Sequence, residues 1–176
     1  MIAVDDALKN VLAGVSQLGS EDISVGEAQG RILAADVASH LTQPPVDVSA
    51  MDGYAVRAAD VAKVPATLTQ IGESAAGSGF DGKIEAGQTS RIFTGAPVPE
   101  GADTIVIQED TDVDGDQITM KEASPAGKFI RPAGLDFKTG DVLLKAGIKL
   151  NSRNTALAAA MNVPWLKVTR QPRVAI

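Results

Sequence analysis

Val4, Leu8, Val11, Leu12, Val15 and Leu18 recur at the three- and four-residue spacing of one helix face, and Gly19 follows as a natural end. The spacing predicts an amphipathic helix over residues 4–18. A second, short helix is expected around Glu27 to Ala34, followed by an extended segment near Asp36 to Ser39. A third is expected to start at Asn151 or Ser152 as N-cap and to run through "TALAAAM", whose Ala-rich face permits close packing. Between these segments the period shortens. "ATLTQIG", "TSRIFTG", "TIVIQED" and "QITMKE" are β-branched or alternating, and "DVLLKAG" and "WLKVT" extend the series of strand candidates. Turn chemistry separates them in "AAGSGFDG", "GAPVPEGAD" and "DVDGDQ". Helix-rich ends around a strand-rich centre predict an α+β chain in which a middle module is inserted into a domain built from both ends. "RQPRVAI" reads as the opening of a further strand at the point where the sequence stops.

Composition narrows the chemistry. The 176 residues suffice for one ordinary domain or two small ones. Apolar residues make up 44%, enough for a core, but aromatics only 3%, so Val, Ile, Leu and Ala must fill it. A net charge of −6 argues against nucleic acid as a partner, because an acidic surface repels phosphate backbones. The absence of cysteine excludes disulfides, thiolate nucleophiles and zinc–thiolate sites. The start, "MIAVDDALKN", has acidic residues where a signal peptide carries basic ones, and no apolar run approaches the roughly 20 residues of a membrane helix. A soluble, cytoplasmic protein with no membrane partner is the expectation.

Two motifs match only in part. "GSGFDG" fits G-x-G-x-x-G but is followed by turn and strand patterns instead of the helix that would hold a pyrophosphate, so a hairpin loop is expected. "DTDVDG" opens like a calcium loop, yet Lys121 stands at its twelfth position and strand patterns flank it; Asp114-Gly115 is expected to form a type I′ hairpin turn. His40, the sole histidine, has no positioned partner and receives no role, while Trp165 and the methionines read as core or interface.

Three polar, glycine-containing stretches remain. In "SAMDGYAV" Gly53 is expected to take a positive φ in a sharp turn that aims Asp52 into a cleft, with Ser49 beside it and Tyr54 as the packing anchor behind. The plainer alternative is an ordinary turn in which Asp52 bonds its own backbone. In "RIFTGAPVPEGAD" a strand ends at Thr94-Gly95. Gly95 would let a ligand approach the backbone, and Pro97 and Pro99 stiffen the loop. In "FIRPAGLDF" Arg131 and Asp136 either pair across a turn or present one charge each to an anion and a metal.

The stretches "PPVDVSAMDGYAVRAAD", "RIFTGAPVPEGADTIV" and "IRPAGLDFKTGDVLLKAG" resemble, in order and spacing, the signature stretches of the N-terminal region of the MoeA family, the molybdopterin molybdenumtransferases, which is similar to the E domain of gephyrin. Val46 and Val48 stand where the family commonly shows Phe and Asn, and "AGLD" where "GED" endings are usual. The resemblance implies an elongated α+β protein. Residues 1–45 plus 141–176 would form the discontinuous first domain and 46–140 the inserted second domain. "RVAI" would open a third, molybdopterin-binding domain that, with a fourth, lies outside these residues.

It also implies an activity, insertion of molybdenum from molybdate into adenylated molybdopterin with release of AMP. Mg²⁺ would be the cofactor and a homodimer the working form, with the molybdopterin adenylyltransferase as a candidate partner. The site would be shared between subunits. Asp52 and Thr94 would be contributed by the second domain, Arg131 and Asp136 would be further catalytic positions, and Ser49, Gly53 and Gly95 would be substrate-binding. Asp52 would hold the metal or its waters. The 176 residues alone are expected to be inactive. Two other readings stay open: a non-enzymatic dimerisation or scaffold module, and an unrelated metal-binding domain using the aspartates of 110–116.

Overall fold

The computed structural model describes residues 2–16 and 18–175. In chain order the elements are α1 (Val4–Ala13), β1 (Ser20–Ser24), β2 (Val37–Ala38), β3 (Val48–Ser49), β4 (Gly53–Val56), β5 (Ala66–Ser74), β6 (Gln88–Ile92), β7 (Thr104–Ile107), β8 (Thr111–Asp114), β9 (Gln117–Met120), β10 (Ile130–Arg131), β11 (Val142–Leu144), α2 (Ser152–Ala160) and β12 (Trp165–Thr169). The class is mixed α+β and strand-rich. The chain divides into two compact units, with residues Thr42–Lys138 forming one and the flanking segments the other.

In the discontinuous unit, β1 pairs antiparallel with β12 from Ser20↔Thr169 to Ser24↔Trp165, and β2 pairs antiparallel with β11. Leu33, Leu150, Met161, Leu166 and Val168 are among its buried side chains. The helix expected after Asn151 forms as α2. The Asn151 side chain accepts from the amides of Arg153 and Asn154, while Asn154 returns a bond to the Asn151 amide. This reciprocal cap satisfies donors that the first helical turn leaves without partners.

Several expectations are corrected in this unit. The first helix stops at Ala13, and Gly14, not Gly19, caps it. No residue of α1 is buried: Val4, Leu8, Val11 and Leu12 are all exposed, so no packing within the unit extends the helix into the 14–18 segment, of which Gln17 lies outside the described residues. The helix expected at 27–34 is only a 3-10 turn at Val25–Glu27. Ile32 and Leu33 instead form bridges to Lys149 and Val168, and these pairings take the backbone groups a helix would have used. Residues 170–175 form no strand, and Ile176 lies outside the described residues. Trp165 is mostly exposed, so of its core-or-interface reading the core half does not hold.

In the inserted unit a six-stranded sheet has the order β7-β4-β6-β5-β9-β8, and β3 pairs separately with β10. Strand β4 sits between β6 and β7 and is buried on both faces. Tyr54 and Val56 pack on one face with Val61, Leu68, Val106 and Ile118, and Ala55 packs on the other with Ile92, Ala96 and Ile105. The connection over residues 75–87 is no hairpin, because β5 and β6 run parallel and a tight turn cannot join parallel neighbours. Phe80 lies against both Gly72 and Gly82, whose missing side chains make room for its ring. The 110–116 aspartates lie on the β8–β9 hairpin and the turn leading into it, where Asp114 pairs with Gln117. The central turn residues are therefore Gly115-Asp116, with positive φ at Gly115 alone, the type II′ pattern in place of the expected type I′.

Candidate functional site

The three polar stretches converge inside the inserted unit, and β3 is the element that joins them. On one side Ser49 faces Ile130 and Val48 faces Arg131 in the β3–β10 ladder. On the other, the Ser49 amide donates to the Ala96 carbonyl, the Gly95 amide donates to the Ser49 carbonyl, and the Val98 amide donates to Asp47. A two-residue strand thus holds both the Thr94–Pro99 loop and the Arg131–Asp136 turn.

Asp52 follows β3 and immediately precedes β4. One oxygen of its carboxylate, Oδ1, accepts two hydrogen bonds, from the Thr94 amide at 2.7 Å and the Thr94 hydroxyl at 2.8 Å. The carboxylate is therefore not satisfied by its own turn. The Thr94 amide, then its hydroxyl, hold the Asp52 carboxyl below the usual carboxylate range, and the Arg91 charge adds to this. Asp52, Thr94 and Gly95 are exposed, so the ionised oxygen pair faces solvent. Gly95 takes φ +81°, and a Cβ there would meet nothing within 4 Å, which leaves the backbone open to approach.

Ser49 and Gly53 lie beneath this surface. Ser49 is buried and its hydroxyl donates to the Met51 carbonyl at 2.6 Å, fixing the bend that carries Asp52. Gly53 does not take the positive φ expected of it; it is a strand residue opposite Ile92 and Ile107. A glycine is required there for a different reason: a Cβ would stand 2.1 Å from the Val106 carbonyl oxygen.

Arg131 and Asp136 form an exposed pair in which Arg131 Nη2 donates to both carboxylate oxygens, at 2.8 and 3.0 Å. The turn that carries them is tied to the segment leading into β3: the Gly134 amide donates to the Pro44 carbonyl, the Asp136 amide to Gln43, and the Ala133 amide to the Asp47 carboxylate. The structure thus joins Asp52 to Thr94 directly, Ser49 to Gly95 through the backbone, and Arg131 to Asp136 as an ion pair.

The chain pattern did not single out Arg91 or Gln108. Arg91 lies opposite Tyr54 in β6, with its guanidinium carbon 5.1 Å from the Tyr54 ring centre and 5.0 Å from that of Phe93. It donates to the Gly53 carbonyl and to the Gln108 side chain, while the Gln108 amide donates to the Asp52 carbonyl. The signal available in sequence was an arginine between two aromatics, one of them on a different strand.

Among the described residues, no three His, Cys, Asp or Glu side chains gather as a metal cage. Magnesium needs no such cage. It commonly takes one or two carboxylates, with water and substrate oxygens completing its shell, so the exposed Asp52 carboxylate fits a share in such an ion. Among the described residues no helix is long and apolar enough to cross a membrane.

The family model described as "MoeA N-terminal region (domain I and II)" matches residues 2–162. A molybdopterin molybdenumtransferase from a Nostoc species is 41% identical over 165 residues, covering 92% of this chain and 38% of that protein. One from Haemophilus influenzae is 35% identical over 178 residues, covering 100% of this chain and 44% of that protein. The crystal structure of a molybdopterin biosynthesis moeA protein from Pyrococcus horikoshii superposes with a TM-score of 0.92 at 31% identity, over 98% of this chain and 47% of that one. The chain spans less than half the length of these relatives. From the signature stretches through to the superposed fold, the chain belongs to the MoeA family and corresponds to its N-terminal region.

Proposed function

We propose that this chain contributes to molybdenum cofactor biosynthesis in the cytoplasm, as the part of a molybdenumtransferase that supplies one half of a site shared between two subunits. The reaction is insertion of molybdenum from molybdate into adenylated molybdopterin, with release of AMP. The single observation that carries this reading is the exposed Asp52 carboxylate, fixed by Thr94 and held ionised beside the open backbone of Gly95. The discontinuous unit is assigned as the family's first domain and the inserted unit, Thr42–Lys138, as its second.

The chemistry follows from charge. Molybdate and a phosphoanhydride are both anions, so bringing them together requires fixed cations and exact placement. Asp52 would hold Mg²⁺ or its waters, and the ion would supply positive charge against the two anionic substrates. Gly95 presents backbone to the incoming group, Thr94 fixes the orientation of Asp52, and Arg131, oriented by Asp136, faces an oxyanion. Ser49 and Gly53 shape the bend below. The 176 residues by themselves form no complete site and do not catalyse insertion. The molybdopterin-binding half comes from the second subunit of a homodimer, and the adenylyltransferase that makes the adenylated substrate is the expected supplier.

A chimera tests the assignment. The N-terminal region of a full-length relative is replaced by these residues and cofactor formation is measured. Asp52→Asn in the chimera should abolish formation while the fold is kept. Undiminished formation by that variant would remove Asp52 from the site.

A further inference from the structure

We propose that Arg91 is a positioning residue of the candidate site, a stacked guanidinium that locks the Asp52–Gly53 backbone so that Asp52 meets its ligand in one orientation. The idea rests on the proposed function only for the identity of that ligand. The hold itself is a matter of geometry in the free chain.

Two consecutive carbonyls around the Asp52 bend are each held by a hydrogen bond, one from Gln108 after β7 and one from Arg91 of β6. The Gly53 carbonyl accepts from Arg91 Nη1 at 3.2 Å. The Asp52 carbonyl accepts from the Gln108 amide at 3.1 Å, and the Gln108 side-chain oxygen accepts from Arg91 Nη2 at 2.5 Å. Arg91 therefore closes a ring from β4 through the turn after β7 and back. Its guanidinium carbon lies over the rings of Tyr54 and Phe93, 5.1 and 5.0 Å from their centres. Stacking on two aromatics while two nitrogens donate in different directions is a task for a planar guanidinium, not for an ammonium. Strand β6 carries Arg91 and leads directly into Thr94, the residue that binds the Asp52 carboxylate. The same strand thus controls both the backbone and the carboxylate of Asp52.

The role also accounts for Tyr54, the only tyrosine in the chain. Its buried ring faces the core cluster and also supports Arg91.

The test is hydrogen exchange at the Thr94 amide in the whole 176-residue chain. Wild type is compared with Arg91→Lys, Arg91→Gln and Gln108→Ala. Arg91→Gln should speed Thr94 exchange severalfold. Arg91→Lys should still speed exchange, because charge is kept and geometry lost. Gln108→Ala should speed exchange with the charge in place. Wild-type exchange in a folded Arg91→Gln chain would overturn the proposal. If Arg91→Gln does not fold, unchanged exchange in both Arg91→Lys and Gln108→Ala overturns it. No substrate is present in these measurements, so their outcome is separate from that of the proposed function. In the chimera, Arg91→Lys should then lower kcat more than it raises KM for molybdate.

Discussion

Thr94 donates both its amide and its hydroxyl to a single carboxylate oxygen of Asp52, 42 residues earlier in the chain. One residue thus fixes orientation and charge together. Removing the hydroxyl alone, in Thr94→Val, keeps the amide bond and should raise the Asp52 pKa part of the way toward its ordinary value. Carboxyl NMR titration reads this directly, and an unchanged midpoint would show that the hydroxyl contributes nothing.

The same pair sets a pH dependence of stability. The Asp52 pKa is lowered in the folded chain from an ordinary 3.8. Its contribution is therefore fully present above about 3.8, the unfolded value, and is lost as pH falls through the lower folded value. Denaturant midpoints of wild type and Asp52→Asn should differ at neutral pH and converge in strong acid. A constant difference across that range would contradict the linkage.

Gly53→Ala should destabilise the inserted unit by on the order of 3 kcal/mol, because the new Cβ would meet backbone, which cannot move aside as a flexible side chain would. Chemical denaturation checks this. A variant as stable as wild type would mean that β4 and β7 can separate at little cost.

The helix cap and the surface ion pair should respond differently. Asn151→Ala should cost about 1 kcal/mol through loss of the reciprocal cap. Asp136→Ala, at an exposed pair, should cost less than about 1 kcal/mol. Any large loss of activity in the chimera carrying Asp136→Ala would then report on Arg131 and not on folding.

Much of this was legible in the chain because it depends on local chemistry. The Asn151 cap, the period-two strands from Ala66 to Met120 and the signature stretches around Asp52 and Thr94 all show in residue order. What the chain does not reveal depends on distant neighbours. The segment at 27–34 has helical spacing but pairs with Lys149 and Val168, over a hundred residues away. The β5–β6 pair is parallel, a choice that the turn-like residues between them do not reveal. Gly53 carried the right residue for another reason, the close approach of the Val106 carbonyl rather than a positive φ. The role of Arg91 is not visible in the chain because, although Phe93 is two residues away, Tyr54 and Gln108 come from two other segments that reach it only in the folded sheet.

The central claim is that the Asp52–Thr94 centre of this chain serves a site completed by another subunit, and mixed dimers test it most directly. A full-length molybdenumtransferase of the family, with Asn at the aspartate of the same motif, is combined with this chain, and the mixed dimer is isolated. Cofactor formation from molybdate and adenylated molybdopterin should be restored by the wild-type chain and not by its Asp52→Asn variant. A confirmed mixed dimer that stays inactive with the wild-type chain, or that is equally active with both, would contradict the account.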